Sequence, residues 1–297
     1  MNTGPNAGHT IGSHHGLDVG IGLPIGDPAA LLTWARRADA GPFSTLGLLD
    51  RLVHDNPEPL VALSVLAGAT SRVRVQTEVL LAPLRGTALL AKQAATLDRM
   101  TGGRLVLGLG VGGRADDHLV AGTDPRTRGR LLDEQMALMR RLWAGEAYGE
   151  GAGAVGPAPA RAGGPQVLFG GFKPAALERV ARFGDGFLAA APPSWADVLF
   201  DTVRGFWEEY GRAGEPRLVA QVNVALGPPD VLDDARSRLH AYYAFTGMAD
   251  RMAEGLLTTP AAIRAALSAY AGLGVHEVML YCYGVDPDQV DRLADVL

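Results

Sequence analysis

The feature that most constrains this chain is an alternation of short apolar runs with longer amphipathic segments, which begins at Leu17. This alternation is typical of a parallel sheet in which a covering helix follows each strand. Eight runs have the length and composition of strands: LDVGIGL from Leu17, STLGLL from Ser44, VRVQTEV from Val73, RLVLGLG from Arg104, QVLF from Gln166, GFLAA from Gly186, LVAQVNV from Leu218 and HEVMLYC from His276. The sequence therefore predicts the α/β class and a closed (β/α)8 (TIM) barrel.

An open, doubly wound sheet is the weaker alternative. Its glycine-rich dinucleotide turn should follow the first strand, but the sequence there is VGIGLPIGD, which contains Pro24 and lacks the required glycine spacing. The other glycine-rich stretch, GLGVGGR from Gly108, follows the fourth strand instead.

Two stretches are longer than a barrel requires. Helical sequence from Pro229 to Gly255 follows the seventh strand, and we expect it to form an inserted segment over the barrel mouth. Residues 146–165 are rich in Gly, Pro and Ala, which predicts a long mobile loop before the fifth strand. This loop and residues 242–257 are candidate lids over the substrate. Three aromatic residues of the second lid either line a pocket or belong to ordinary core: Tyr242, Tyr243 and Phe245.

Composition limits the domain count and the classes of partner. The 297 residues are 47% hydrophobic and 20% charged, which suffices for one large core. We expect a flexible tail over residues 1–16 and one barrel domain over residues 17–297. The net charge is −5 with no basic stripe, which argues against nucleic-acid binding. No apolar run has the ~18 residues of a membrane helix, and the single cysteine is Cys282. A cytoplasmic protein without a metal site is therefore expected.

Active sites of (β/α)8 barrels lie at the C-terminal ends of the strands, where this sequence offers three candidate catalytic residues. Glu78 lies in an apolar run, so it either pairs with a cation or faces the cavity. His54 follows the second strand and either transfers a proton near neutral pH or bonds the loop backbone. Asp50 ends the second strand and either serves the site, caps the next loop or pairs with Arg51.

Glycines and a cation follow the fourth strand. In GLGVGGR the missing side chains let the backbone approach a ligand, and Arg114 supplies positive charge. Further on, Arg126, Arg128 and Arg130 lie near a helix start, where the helix dipole also favours anions. These arginines either hold a phosphate or form a solvated turn that pairs with Asp133 and Glu134.

The fifth strand ends in Gly170 and Gly171, ahead of a helix that begins near Pro174. Two glycines before a helix N-terminus form either a backbone anion nest, with Lys173 adding charge, or a plain tight turn. On physical grounds this is the best phosphate site in the sequence.

In their order and spacing, these residues resemble the luciferase-like monooxygenase superfamily, which includes bacterial luciferase, FMN-dependent monooxygenases and deazaflavin-dependent dehydrogenases and reductases. The resemblance covers nearly the whole chain after the tail. It is strongest in three blocks: EPLVALSVLAGATSRVRVQTEVLLAPLRGTALLAKQAATLDRMTGGRLVLGLGVGGR, RGRLLDEQMALMRRLWAG and PQVLFGGFKPAALERVARFGDGFL.

The resemblance implies a flavin-type ring at the C-terminal mouth, supported by a bulged peptide near the third strand, and two sets of glycines around it. Asp50 and Glu78 match strand-end positions that often face the cofactor or substrate. The matching cofactor positions are Gly170, Gly171 and Phe172 for the phosphate turn and Gly108, Gly110 and Gly112 beside the ring. With the cations Arg114 and Arg128, these form the candidate cofactor-binding set.

For activity, the resemblance implies a monooxygenase in which reduced FMN and O2 deliver one oxygen atom to a small organic substrate. The alternative is hydride transfer by a deazaflavin (F420)-dependent dehydrogenase or reductase, and the GGF phosphate turn looks closer to that branch. A flavin-binding barrel without turnover is a non-enzymatic alternative. An aldolase or hydrolase lacks support, because no lysine ends a strand and no His-rich metal spacing occurs. The family also implies a homodimer and allows a separate flavin reductase as partner.

Overall fold

The computed structural model describes residues 16–297, so the predicted tail lies outside the described residues except for Gly16. Eight parallel strand positions close into a barrel, because the first strand pairs with the last and the third pairs with the fourth. All eight predicted runs form strands, and the (β/α)8 prediction is confirmed.

The strands, with the third barrel position divided between β3 and β4, are β1 Asp18–Gly22, β2 Thr45–Leu48, β3 Arg74–Thr77, β4 Leu80–Leu81, β5 Leu105–Gly110, β6 Ala147–Gly149, β7 Ala152–Ala154, β8 Gln166–Gly170, β9 Gly186–Ala189, β10 Arg217–Val224 and β11 Glu277–Cys282. The α-helices are α1 Leu31–Ala40, α2 Pro59–Gly68, α3 Thr87–Met100, α4 Ala115–Val120, α5 Arg128–Trp143, α6 Pro174–Phe183, α7 Pro193–Glu209, α8 Pro229–Tyr243, α9 Ala249–Glu254, α10 Pro260–Gly272 and α11 Asp288–Ala294. None of the helices in the described range is long and apolar enough to cross a membrane.

The third strand is interrupted, which the sequence pattern VRVQTEV did not indicate. It pairs with β2 through Thr77 and resumes at Leu80 against β5. The two residues between, Glu78 and Val79, are joined by a cis peptide bond. The chain therefore departs from the ladder at the barrel mouth, where the family resemblance implies a bulge.

Inside the barrel, an apolar layer separates the mouth from a charged plug at the opposite end. The layer is formed by Val106, Leu168, Leu188, Val219 and Met279. In the plug, buried Glu277 accepts hydrogen bonds from Arg74, Arg217, Ser44 and Thr45. Burial alone would raise the pKa of Glu277, but the two guanidinium groups and the two hydroxyls outweigh it and lower that pKa to about 2. The plug leaves the C-terminal mouth as the place for chemistry.

The segment 146–165 lies at the N-terminal end of the barrel, so its expected role as a lid is wrong. It contains the antiparallel β6–β7 hairpin. Ala160 N donates to Asp98 at 2.7 Å, and Lys92 Nζ donates to the Gly156 carbonyl at 2.7 Å. The physical reason is its place in the chain: it follows a helix, and helices return the chain to the end opposite the active site.

The inserted segment after the seventh barrel strand, residues 229–255, lies at the mouth as expected. It consists of α8, a short 3-10 turn and α9. The chain rejoins β10 at Leu257, whose N–H donates to Asn223 and whose carbonyl accepts from Ala225, both at 3.0 Å. We call residues 229–255 the lid segment, because a segment that leaves the end of a barrel strand lies over the active-site face.

Candidate active site

Asp50 is buried at the end of β2 and is fully engaged by protein groups. Arg85 binds both of its oxygens, at 2.6 and 3.1 Å, and Leu81 N donates to the same carboxylate at 2.8 Å. The expected alternative, a pair with Arg51, is wrong, because Arg51 Nε bonds Asp117 at 2.6 Å. Asp50 therefore fastens β4 to the end of β2. Arg85, which follows β4, is a partner of Asp50 that sequence reasoning missed.

Glu78 is buried in the upper part of the barrel with no cationic partner in the described part of the chain. Gln76 Nε2 donates to its Oε1 at 2.8 Å, and Oε2 has no partner among the described residues. Gly47 leaves room for the carboxyl, since a Cβ there would lie 2.3 Å from its Cδ. Burial raises the pKa of Glu78 to about 8, despite the opposing hydrogen bond from Gln76. Glu78 is therefore an uncharged acid at neutral pH.

The glycines expected beside the ring make room for the protein's own bulge. A Cβ on Gly110 would lie 2.4 Å from Val79, and one on Gly170 would lie 3.1 Å from it. A Cβ on Gly108 would lie 2.0 Å from the Thr77 carbonyl oxygen. The space beside Gly108 and Gly110 is thus filled by Thr77 and Val79, and Val79 itself is only half-buried. We call Val79 with its supporting glycines the floor.

Gly112 forms part of a turn and does not belong to the floor. Its φ is +75°, which favours glycine, and a Cβ would lie 3.2 Å from His118 Nε2. The His118 ring is itself bonded to Val111 O and Thr123 Oγ1. Gly112 therefore directs the chain from β5 into α4.

The turn after β8 combines a glycine with positive φ and the start of a helix, the two features that led us to expect an anion nest. Gly171 has φ +155°, and a Cβ there would lie 2.6 Å from Ala176 Cβ. The ten-residue helix α6 begins directly after it with Pro174 in its first turn, and the exposed Lys173 is the N-cap residue. Phe172 is 46% exposed and stacks on Trp195 with ring centroids 5.0 Å apart. Backbone, helix dipole and cation all favour a phosphate here.

His54 faces the lid segment. Its ring packs edge-on against Tyr242, with centroids 5.7 Å apart. The residue as a whole is exposed, yet partial desolvation of the ring, together with the charges of Arg51 and Arg114, lowers the pKa of His54. The imidazole is therefore neutral near pH 7 and available as a base.

A cavity of about 290 Å³ opens beside His54. Its walls combine apolar and aromatic groups with one acid and one guanidinium: Ile25, Gly26, His54, Asp55, Arg238, Ala241, Tyr242 and Tyr283. Sequence reasoning missed Arg238 and Tyr283, because they come from the lid segment and from beyond the last strand. Tyr242 lines this cavity, as one of the two interpretations expected. Tyr243 is not part of the cavity wall and, like Tyr242, packs against the small buried cluster that contains Tyr281 and Tyr283.

Arg114 is engaged by the lid segment. Its Nη2 donates to the Tyr242 carbonyl, and its guanidinium lies 3.7 Å from the Phe245 ring centroid. None of these contacts reaches the turn at Gly170. Burial and the charge of Arg51 lower the pKa of Arg114.

The three arginines at the start of α5 are divided between the two expected roles. Arg126 pairs with Asp124 and Arg130 pairs with Glu134, both on the surface. Asp133 pairs with Arg179 from α6 instead, at 2.5 Å. Arg128 donates to the Pro125 carbonyl at 2.8 Å, and no carboxylate in the described range pairs with it. Of the three, Arg128 is the cation that a ligand could still use.

A sequence model of the family described as luciferase-like monooxygenase matches residues 6–275. An F420-dependent glucose-6-phosphate dehydrogenase of Kineococcus radiotolerans is 30% identical over 197 residues, which cover 61% of this chain and 58% of that protein. The chain spans about 60% of the length of the curated relatives it matches.

Solved structures show the same fold. An F420-dependent secondary alcohol dehydrogenase in complex with an F420-acetone adduct superposes with a TM-score of 0.79 at 18% identity, covering 95% of this chain and 98% of the other. A monooxygenase from Streptomyces bottropensis superposes with a TM-score of 0.75 at 20% identity, with the same coverages.

Proposed function

Since the chain belongs to the luciferase-like monooxygenase family, we propose that it is an oxidoreductase that binds the deazaflavin F420 at the barrel mouth and exchanges a hydride with a small organic hydroxyl or carbonyl compound. The observation that carries this proposal is the floor at Val79, backed by Gly110 and Gly170 and continuous with the anion nest at Gly171.

The residues present fit such a cofactor. Val79 is apolar and half-buried, so its exposed part would suit the face of a planar ring. The turn from Gly170 to Phe172 lies at a helix N-terminus, which suits a phosphate. Arg128 would add charge at the neighbouring helix start. When bound, the deazaflavin supplies hydride donor and acceptor chemistry.

The protein's own contribution is proton handling and shielding. Neutral His54 would accept the hydroxyl proton of an alcohol, or return it when a carbonyl is reduced. Glu78 holds a proton beside the floor because its carboxyl is uncharged at neutral pH. The lid segment places Tyr242 over His54 and would exclude water from the reacting groups.

Two observations support F420 over FMN: the stated activities of curated relatives and the sequence of the turn after β8. The curated relatives with stated activities include F420-dependent glucose-6-phosphate dehydrogenases. The turn reads Gly170, Gly171, Phe172, and this GGF sequence resembles the deazaflavin-dependent branch of the family more than bacterial luciferase. The second candidate function, oxygenation of a small organic substrate with reduced FMN, is favoured by the likeness to the Streptomyces bottropensis monooxygenase. In that case a separate flavin reductase would be the partner.

The deciding experiment is a pair of titrations, with F420 and with FMN, of the purified protein, followed by cofactor fluorescence and by thermal stability. The proposal expects saturable F420 binding that is tighter than FMN binding, followed by F420 reduction when alcohols are added. Tighter binding of FMN, with oxygen consumption on reduction, would overturn it in favour of the monooxygenase. Binding without turnover of any alcohol or carbonyl in a broad panel would favour the non-catalytic barrel.

We also propose that two copies associate through α2 and α3. Four apolar side chains on this face are largely exposed: Val61, Val65, Leu89 and Met100. Three of them line a cavity of about 400 Å³ between the two helices. Lys92 is the one charged side chain in the cavity lining, and it donates to the Gly156 carbonyl, so the face is mostly apolar, as a self-complementary interface requires. A cytoplasmic location and the lack of nucleic-acid partners stay predictions from composition.

A further inference from the structure

Arg114 is a cation at the mouth that forms no ion pair with any of the described residues. The guanidinium is half-buried, and none of the carboxylates in the described range lies within 4 Å of it. One of its five N–H groups is used, by the Tyr242 carbonyl. A guanidinium taken partly out of water without a carboxylate is unfavourable unless another partner supplies negative charge.

A second guanidinium lies close by. Arg51 has a side chain only 4% exposed, and its Nη1 has no partner among the described residues. Its other nitrogens bond Asp117 and Asp116. The charge of Arg51 helps to lower the pKa of Arg114, so the two cations lie close enough to repel each other. Asp117 and Asp116 both bond Arg51, whereas Arg114 has no carboxylate of the described residues within 4 Å and feels Asp116 only as a more distant charge.

Both cations lie beside the reacting end of the proposed site. Each of them lowers the pKa of His54, and Arg114 contacts Tyr242, which forms a wall of the 290 Å³ cavity. The exposed Asp55 in the same loop is the remaining acidic group near His54. Arg114 does not itself line the cavity but lies 4.7 Å from the ring centroid of Tyr242, so a molecule that packs against His54 and Tyr242 lies near Arg114 as well.

We propose that Arg114, supported by Arg51, binds an anionic group of the substrate, a carboxylate or a phosphate ester. This inference rests on the proposed function, which makes the cavity beside His54 a substrate site. It assigns Arg114 to the substrate rather than to the cofactor phosphate, because its contacts are with the lid segment and not with the turn at Gly170. The substrate class is accordingly a small organic anion that carries a hydroxyl or carbonyl group.

The test is binding to the cofactor-free full chain, measured by calorimetry with matched probes: hexanoate, hexyl phosphate and 1-hexanol. The three share an apolar body and differ in charge. The proposal expects hexanoate or hexyl phosphate to bind roughly 10-fold or more tightly than 1-hexanol, as charge-assisted hydrogen bonds predict. Which of the two anions binds more tightly distinguishes a carboxylate substrate from a phosphate ester. Equal binding of all three, or no binding of any, would overturn the proposal.

Variants distinguish the effect of the Arg114 charge from the effect of its packing against the lid segment. In Arg114→Gln the preference for anions should fall to near parity, whereas Arg114→Lys should keep much of it because the charge remains. Phe245→Ala removes the ring beneath the guanidinium without removing charge, and Arg236→Gln removes an exposed arginine on α8 that pairs with Asp233. Both should retain the preference. If Phe245→Ala abolished it as fully as Arg114→Gln, Arg114 would serve only to hold the lid segment.

The anion test and the cofactor titration can fail separately. Anion preference without F420 binding would leave the anion site standing and reject the proposed hydride transfer. F420 binding and turnover with no anion preference would reject the site at Arg114 alone.

Discussion

Arg85 donates two hydrogen bonds to the Asp50 carboxylate, from Nη1 to Oδ2 at 2.6 Å and from Nη2 to Oδ1 at 3.1 Å. The pair joins the end of β2 to the segment after β4, on either side of the Glu78–Val79 bulge. Through Leu81 N, the same carboxylate also holds the backbone of β4. The backbone that follows Val79 is therefore fastened to the end of β2 by a largely buried ion pair.

Replacing Asp50 by Asn should destabilise the protein by about 3 kcal/mol, because it leaves a largely buried guanidinium without its main partner. Urea unfolding measures the change. The matched control is Asp124→Asn, which breaks a surface pair with Arg126 and should leave the unfolding midpoint unchanged. Equal effects of both substitutions would show that the Asp50 pair contributes no more than a surface pair.

Glu78→Gln should stabilise the protein at neutral pH. The unfolded carboxyl ionises near pH 4.5, whereas the folded one keeps its proton up to about pH 8. Ionisation therefore favours the unfolded state increasingly as pH rises from 4.5 to 8. At pH 7 it lowers the free energy of unfolding of the wild type by about 3 kcal/mol. The gap between variant and wild type should vanish near pH 4.5. Unfolding curves across this range test it, with the exposed Glu134→Gln as control; a gap independent of pH would refute the uncharged state of Glu78.

His54→Gln should lower kcat/KM by roughly 10²- to 10⁴-fold, the usual contribution of a general base. Cofactor affinity should stay the same, since the ring contacts the lid segment rather than the floor. In the wild type, alcohol oxidation should fall as pH drops through the lowered pKa of His54, because protonation removes the base. This acid limb should be absent in the variant. Its persistence there would assign the base to another group.

Gly110→Ala should weaken cofactor binding, since its Cβ would lie 2.4 Å from Val79 and force the floor to move. Overpacking of this kind costs roughly 1–3 kcal/mol. The neighbouring Gly113→Ala is the matched control, because no atom lies within 4 Å of its Cβ position. Titration of both variants with F420 or FMN measures the cofactor affinity. Unchanged affinity in Gly110→Ala would mean that Val79 does not support the ring.

Leu89→Arg should convert a dimer into a monomer, because it places a like charge on both sides of a self-complementary apolar face. Light scattering after size-exclusion chromatography measures the mass. Leu119→Arg on α4 changes an even more exposed leucine outside this face and should not alter the mass. A monomeric wild type, or a variant that remains dimeric, would contradict association through α2 and α3.

The sequence alone determined the repeating architecture and the glycine turn. Eight apolar runs, each followed by a helical pattern, specify a barrel because strand and helix periodicities are local. The turn at Gly170 and Gly171 could be located because its signal, two glycines followed by a proline at a helix start, occupies a few consecutive residues. The position of residues 146–165 could also have been inferred, since a segment that follows a helix lies opposite the active-site face.

Only the tertiary structure decided which partners the charged and small residues have. Asp50 meets Arg85 rather than its neighbour Arg51, and Arg114 meets Tyr242, 128 positions further along the chain. Likewise, Gly110 and Gly170 leave room for the Val79 side chain, because the ends of β5 and β8 meet the interrupted third strand there. The physical reason is that periodicity records which face of an element is buried, whereas the identity of the group across the barrel depends on register and on closure of the sheet, which no local pattern encodes.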